Sequence, residues 1–377
     1  MLKRKVLHVV YSLDPGGMEN GVVNIANSLD SNEFEIGILC LSHRGELADR
    51  LHSQVKVYEL GKKNGLDLTL FIRIYKFIAD LRPDIVHSHN LGPLIYASLP
   101  IVAISLKIQL VHGEHASLTA TDLSYKKVIQ RIILYSNCSV IHTVGHEMTK
   151  HFMEIPYFSN PVYTFQNGVD TTKYSPGSDD SESRIAVSYG IKDKIVISVF
   201  ARFGKYKGHV DLLHVFEHVA PKQHNVVLMF VGGGGECEEQ ILSLVKTHKF
   251  GDRIICTGFQ QNPVPFYKAS DFVLLASKNE GLSNVMLEAM SCSKTVAALG
   301  SCGVCDLIVH GQNGYHILDS SIEGIAIAII SLLEKPKQNL RDVGCNAREY
   351  ILSNYSIDAM IQNYYSCYLA FGVQERV

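Results

Sequence analysis

Short apolar runs that end in glycine or polar residues, each followed by a stretch of helical spacing, recur along this chain in two separate blocks. The first block opens with a strand over Lys5–Leu13 that runs into Asp14-Pro15-Gly16-Gly17-Met18-Glu19, and helical spacing follows from Val22 to Leu29. A strand, a double glycine and a helix form the first unit of a doubly wound parallel sheet. Strands over Glu35–Leu41 and Val55–Leu60 continue it, with a short helix at Leu47–Leu51 between them. An amphipathic helix over Leu70–Leu81 comes next, and then a buried strand, Asp84–His89. Ser139–Val144 and Thr164–Val169 read as the last strands of this block. The pattern restarts at Ile195–Phe200 and returns at Val226–Val231, Arg253–Gly258 and Asp271–Ala276. Between the blocks, SPGSDDSESR (Ser175–Arg184) is polar, acidic and unpatterned, which marks a boundary. A chain of 377 residues fits two domains of ordinary size. The expected class is α/β, with two Rossmann-like doubly wound sheets.

Composition removes several alternatives. A formal charge of −2 provides no field to attract a nucleic-acid backbone. Nine cysteines without framework spacing suit reduced thiols and a cytoplasmic setting. The pair Cys302 and Cys305 has redox-motif spacing but no matching pair elsewhere. The start, MLKRKVLHVVYSL, passes into a strand without a cleavable signal, and Leu91–Leu106, interrupted by Pro93 and Pro100, is shorter than the ~20 residues of a spanning helix. A buried crossover helix is expected there.

Candidate chemistry concentrates in the stretch SKNEGLSNVMLEAM. Glu280 and Glu288 flank a turn, Gly281-Leu282-Ser283, and Ser283 is placed to cap a helix over Asn284–Met290. The backbone amides that open this helix, at Asn284 and Val285, suit an anion such as a phosphate. Upstream, Ala201–Gly208 (ARFGKYKG) carries Arg202 and Lys207, spaced so that one loop can bring both onto a pyrophosphate. In the first block Gly16 and Gly17 permit close backbone approach to a ligand. The loop lacks the full dinucleotide fingerprint. His89 and His115 each close a strand, at the edge where such sheets bind ligands.

These features resemble glycosyltransferase family 4. The segment EGLSNVMLE, with its Glu-x7-Glu spacing, resembles the family's donor-site motif. ARFGKYKG resembles its "GR-x4-KG" loop, with Ala201 in place of glycine. His115 matches the histidine that approaches the donor sugar, and His89 the "VHxH" strand end. FQNGVDTTKYSP resembles the turn before the interdomain hinge, and VHGQNGY the family's closing turn, while Ser293 and Thr295 stand where glycine and proline are common. The resemblance implies a GT-B fold, with two Rossmann-like domains facing each other across a cleft. An N-terminal acceptor domain would span residues 1–175 and a nucleotide-sugar domain 185–354. A terminal helix within 355–377 would pack back on the first.

It also implies a retaining, metal-independent transferase that needs no cofactor beyond its nucleotide-diphosphate sugar. Glu280, His115, Arg202 and Lys207 would act at the reacting centre. Gly16, Gly17, Gly281, Leu282, Ser283, Asn284, Val285, Glu288 and Phe259 would bind the donor, with Glu288 on the ribose hydroxyls and Phe259 in the loop near the base. His89 would meet the acceptor, a lipid-linked or other saccharide of surface polysaccharide synthesis. The helix at Tyr125–Tyr135 sets Lys126, Lys127 and Arg131 opposite Val128, Ile129, Ile132 and Ile133, which suits either an ordinary helix packed on the sheet or, as in relatives that elongate lipid-linked sugars, peripheral contact with the inner face of an anionic membrane. Competing readings are a nucleotide-sugar epimerase or hydrolase on the same fold and a non-catalytic partner subunit. A glycosidase also uses two carboxylates, but a cationic loop beside them fits departure of a diphosphate better than attack by water.

Overall fold

The all-apolar runs form strands buried on both faces, as parallel sheets covered by helices require. The computed structural model describes residues 3–104, 106–116, 124–155, 160–177, 180–277, 282–300 and 302–371, with only the backbone of Cys302 and Cys305. It divides into two compact units, Met1–Gly168 with Ile357–Val377, and Val169–Ser356.

The first unit contains β1 (Arg4–Val10), β2 (Phe34–Cys40), β3 (Lys56–Glu59), β4 (Ile85–His89), β5 (Gln109–Glu114), β6 (Val140–Thr143) and β7 (Val162–Thr164). They form one parallel sheet in the order β3-β2-β1-β4-β5-β6-β7. Its helices are α1 (Gly17–Ser28), α2 (Leu68–Leu81), α3 (Leu91–Ala103), α4 (Tyr125–Tyr135) and α5 (His146–Met153). The core joins Val6, Val10, Val23 and Ile38 to Tyr364 and Tyr368, which come from the far end of the chain.

The second unit holds α6 (Ser181–Ser188), β8 (Ile195–Phe200), α7 (His209–Val219), β9 (Val226–Val231), α8 (Glu238–Thr247), β10 (Ile254–Cys256) and α9 (Val264–Lys268). It continues with β11 (Phe272–Leu275), α10 (Asn284–Ser291), β12 (Thr295–Leu299), α11 (Cys302–Leu307), β13 (Tyr315–Ile317), α12 (Ile322–Leu333) and α13 (Lys337–Asn354). The strands run in the order β10-β9-β8-β11-β12-β13. The order reverses between β8 and β11 here, and between β1 and β4 in the first sheet. Such switch points open a crevice at the carboxyl edge, where α/β sheets hold ligands.

Helix α14 (Ile357–Leu369) returns to the first unit and packs on α1. The Arg4 guanidinium donates to the Phe371 carbonyl at 2.9 Å.

Three local expectations change. The stretch expected to be an unpatterned boundary runs into α6, whose first turn uses Ser181 and Glu182. The strand expected at Thr164–Val169 lies earlier, as β7, because Val162–Thr164 is the segment in register with Ile141–Thr143. In α4 one basic side chain turns inward and part of the apolar face turns outward, while Lys126 stays exposed. Arg131 is buried against Glu114 at 3.4 Å, while Tyr125, Ile129 and Ile133 face outward. The buried carboxylate on β5 decides this, since a buried charge needs an opposite partner.

Candidate functional site

In the second unit the cationic loop leaves β8 and is held by close backbone packing. Gly208 has φ +76°, and a Cβ there would lie 2.5 Å from the Ala276 carbonyl oxygen. Glycine therefore lets the Arg202–Lys207 loop rest directly on the end of β11, the strand that leads toward Glu280 and α10. The four-glycine run after β9 serves the same loop. Gly232, at φ +148°, leaves no room for a Cβ, which would fall 2.1 Å from the Ala201 oxygen. The Phe203 amide donates to the Gly234 carbonyl at 2.9 Å, and the Lys205 amide to Glu236 Oε1 at 2.9 Å. Bonding from the Lys205 amide and from its own amide, with the nearby charge of Arg202, holds the Glu236 carboxyl below its ordinary range. The glutamate after the glycines is thus a brace for the cationic loop, a role for which its sequence gave no sign. Gly232 also donates to the Gly258 carbonyl at 3.1 Å, which brings the Phe259 loop to the same edge, and Phe259 is exposed.

Helix α10 begins after Ser283, which occupies the cap position in extended conformation without making a side-chain cap bond. This departs from the expected cap. Leu282 and Ser283 are buried, so their side chains belong to packing. Glu288 is half-buried, and Tyr267 donates its hydroxyl to Glu288 Oε2 at 2.8 Å. Tyr267 is fully buried and stacks on Phe200 at 3.8 Å between ring centroids. Burial, then the Glu288 charge, raises its phenol well above the usual range, so Tyr267 acts as a fixed donor. Glu280 and Gly281 lie outside the described residues.

In the first unit α1 starts on the double glycine. Gly16 is extended and accepts from the Asn20 amide at 3.0 Å and from Asn20 Nδ2 at 2.8 Å. The Glu19 carboxylate covers the place where a Gly16 Cβ would project.

The carboxyl edge of this sheet carries a buried histidine network. His8 Nδ1 lies 2.9 Å from His89 Nε2, and His89 Nδ1 lies 2.9 Å from His115 Nε2. His87 Nε2 lies 2.9 Å from His142 Nε2, while His87 Nδ1 meets the Tyr368 hydroxyl at 2.6 Å. Register explains the assembly. His8 pairs with His87 across β1 and β4, and Gly113 stands between His89 and His142 in the same row. A Cβ on Gly113 would meet the His142 ring at 2.7 Å and His115 Nε2 at 2.9 Å.

Burial keeps these rings neutral, lowering His8 to about 3 and His115 to about 4, with His87, His89 and His142 well below their ordinary value. His89 is fully buried with both ring nitrogens engaged, so it reaches the edge only through the half-buried His115. The ring nitrogens of His8, His87 and His89 lie within 4.8 Å of one another, near enough to hold one metal ion. Hydrogen bonds already take both nitrogens of His87 and His89, and a metal would have to displace them. Beside the network, burial pushes the Glu114 carboxyl up, but His112, Arg131 and Tyr135 outweigh it and hold the group below its usual range.

The comparisons with known proteins agree with this architecture. The family model "Glycosyltransferase Family 4" matches residues 15–173, and "Glycosyl transferases group 1" matches residues 181–350. An N-acetyl-alpha-D-glucosaminyl L-malate synthase from Bacillus anthracis is 28% identical over 321 residues, covering 83% of this chain and 82% of its own. A UDP-Gal:alpha-D-GlcNAc-diphosphoundecaprenol alpha-1,3-galactosyltransferase from Escherichia coli is 20% identical, covering 99% and 98%. Among solved structures, Anabaena HepE in complex with UDP and glucose superposes with a TM-score of 0.84 at 19% identity, covering 97% of this chain and 100% of its own. Two parallel-sheet α/β units, with a family match on each, identify the fold as GT-B, and the chain belongs to the group 1 glycosyl transferases of glycosyltransferase family 4.

Proposed function

We propose that this glycosyltransferase moves a sugar from a nucleoside-diphosphate sugar to a lipid-linked saccharide, with retention at the sugar carbon and without a metal. The reading is carried by the approach of Gly208 to Ala276, which sets the Arg202–Lys207 loop on the strand that feeds the Glu280–Glu288 segment. Arg202 and Lys207 would take up the charge that grows on the diphosphate as the glycosidic bond breaks, assisted by the first amides of α10. Glu288, steadied by Tyr267, would accept from the ribose hydroxyls. Glu280 would face the transferred sugar together with His115. Gly16 and Gly17 would approach the diphosphate, and Phe259 the base. Retention and metal independence follow from the family resemblance.

A uridine nucleotide is favoured by HepE, solved with UDP-glucose, and by the E. coli relative named for UDP-Gal. That relative's name also carries a diphosphoundecaprenol acceptor. Among the described residues no helix is long and apolar enough to cross a membrane. The outward stripe of Tyr125, Ile129 and Ile133 beside Lys126 suits a peripheral hold on an anionic bilayer from its inner face.

The test incubates the protein with labelled UDP-sugars, with and without a diphosphate-lipid saccharide, in EDTA. Acceptor-dependent transfer with an unchanged anomeric configuration is expected. Donor consumption without acceptor would favour the hydrolase or epimerase reading, and failure to bind UDP in calorimetry would leave a non-catalytic subunit. Undiminished turnover in Glu280→Gln would remove that residue from the reacting centre.

A further inference from the structure

We infer that His8 and His89 are positioning residues that set the tautomer of His115, so that this ring presents an Nδ1–H donor at the carboxyl edge of the first sheet. The inference deepens the proposed role of His115 and rests on it for its functional part.

His8, His89 and His115 are joined by two contacts between ring nitrogens, each 2.9 Å long. A neutral imidazole carries one N–H, and each contact needs one proton between its nitrogens. Three rings therefore supply three protons, and the two contacts use two. The third must sit at one end of the row, on His8 Nε2 or on His115 Nδ1. Only two joint arrangements satisfy both contacts: every ring protonated at Nε2, or every ring protonated at Nδ1. The rings cannot choose separately.

The inner end distinguishes them. His8 is fully buried, and among the described residues its Nε2 has no hydrogen-bond partner. A proton there would be an orphaned buried N–H, a rare feature in folded proteins. The outer ring is half-buried, so its Nδ1 proton can meet water or a ligand oxygen. The favoured row runs outward, from His8 Nδ1–H to His89 Nε2, then from His89 Nδ1–H to His115 Nε2, ending in an N–H on His115 Nδ1. Desolvation lowers all three rings below their ordinary value, His8 to about 3 and His115 to about 4, so the count takes each as neutral at pH 7.5.

The neighbouring row is grounded differently. His142 Nδ1 lies 3.4 Å from the Thr143 carbonyl, which can only accept. His142 Nε2 must then accept from His87 Nε2–H, and His87 Nδ1 from the Tyr368 hydroxyl. A carbonyl settles that row from inside the fold. The row ending at His115 has its loose end at the surface, where a donor serves a sugar hydroxyl or a phosphate oxygen.

The experiment reads imidazole nitrogens directly, by two-bond proton–nitrogen correlation on 15N-histidine-labelled full-length protein at pH 7.5. Expected is a single neutral tautomer at His115, with Nδ1 at the protonated end of the nitrogen range, and an unprotonated Nε2 at His8. In His89→Leu, His115 loses its inner partner and should move to averaged tautomers, whereas His89→Gln, whose amide accepts on one side and donates on the other, should restore the wild-type pattern. Turnover of His89→Leu should fall roughly tenfold or more in kcat with little change in donor KM, as for a lost transition-state donor. An Nε2–H tautomer at His115 in the wild type, or the same His115 signal in folded His89→Leu, overturns the inference. Retained wild-type kcat in His115→Ala would instead refute the role of His115 in transfer and leave the tautomer result standing.

Discussion

The Tyr267 hydroxyl donates to Glu288 Oε2 at 2.8 Å, from a ring that is fully buried and stacked on Phe200. The carboxylate proposed to hold the ribose is thereby aimed by a residue on a different helix. Tyr267→Phe keeps the stack and removes the bond, which as a hydrogen bond to a charged group contributes about 1.5–3 kcal/mol. UDP binding by calorimetry should weaken roughly tenfold, while Glu288→Gln should weaken it further. Equal UDP affinity in wild type and Tyr267→Phe would detach the tyrosine from the donor site.

Gly208→Ala tests the seat of the cationic loop. The backbone there is left-handed, and the new methyl would press on the Ala276 carbonyl. A non-glycine residue held in such a conformation costs about 1–3 kcal/mol. Chemical denaturation should show a loss of at least that size, and UDP affinity should drop with it. Unchanged affinity in a folded variant would mean that loop and strand need not touch for binding.

Arg202→Ala and Lys207→Ala should each cost kcat about 100- to 1000-fold, the usual size for removing one group that stabilises developing charge. Donor KM should move much less. Steady-state assays with saturating acceptor separate the two, and a loss confined to KM would make these cations simple ground-state binders.

Much of this site could be read in the chain, and the limits are specific. Alternating apolar runs and helices announce both sheets, and the bounds of β8 and β9 coincide with the expected segments. The loops carrying Arg202, Phe259 and Ser283 all fall after strand ends that periodicity places. The histidine rows could not be seen, because His8 and His142 look like interruptions in apolar strands until the order β1-β4-β5-β6 brings them together. Arg131 reads as a surface charge because its partner, Glu114, lies on another element. The roles of Glu236 and Tyr267 are hidden for the same reason: each acts through a contact that spacing along the chain does not encode.

The inward turn of Arg131 in α4 and the outward stripe beside it lead to a two-part test. Arg131→Ala leaves Glu114 buried without its guanidinium and should cost about 3–5 kcal/mol of stability. Tyr125→Ser with Ile133→Ser should leave the urea midpoint nearly unchanged, yet reduce sedimentation with phosphatidylserine vesicles. Vesicle binding that survives the double substitution would place any membrane contact elsewhere.

Acid should unsettle the first unit. The folded values of His8, His87, His89, His115 and His142 all lie below the ordinary 6.5, chiefly through burial. Above that pH both folded and unfolded chains hold these rings neutral, and nothing is lost. Below it the unfolded chain takes up protons that the folded one refuses, so stability falls with pH at up to ~1.4 kcal/mol per ring and pH unit, until each folded value is reached. Urea midpoints followed by tyrosine fluorescence should drop steeply between pH 7 and pH 5, and a flat profile would mean that the rings are hydrated.

The return of α14 to the first sheet has a consequence for biosynthesis. Tyr364 and Tyr368 complete a core whose other members emerge from the ribosome before Gly168, and the intervening Val169–Ser356 is the whole second unit. At roughly 5–20 residues per second, the early half waits on the order of ten to forty seconds for its last helix. The later half can therefore close first, while His87 and its neighbours stay uncovered until translation is nearly over.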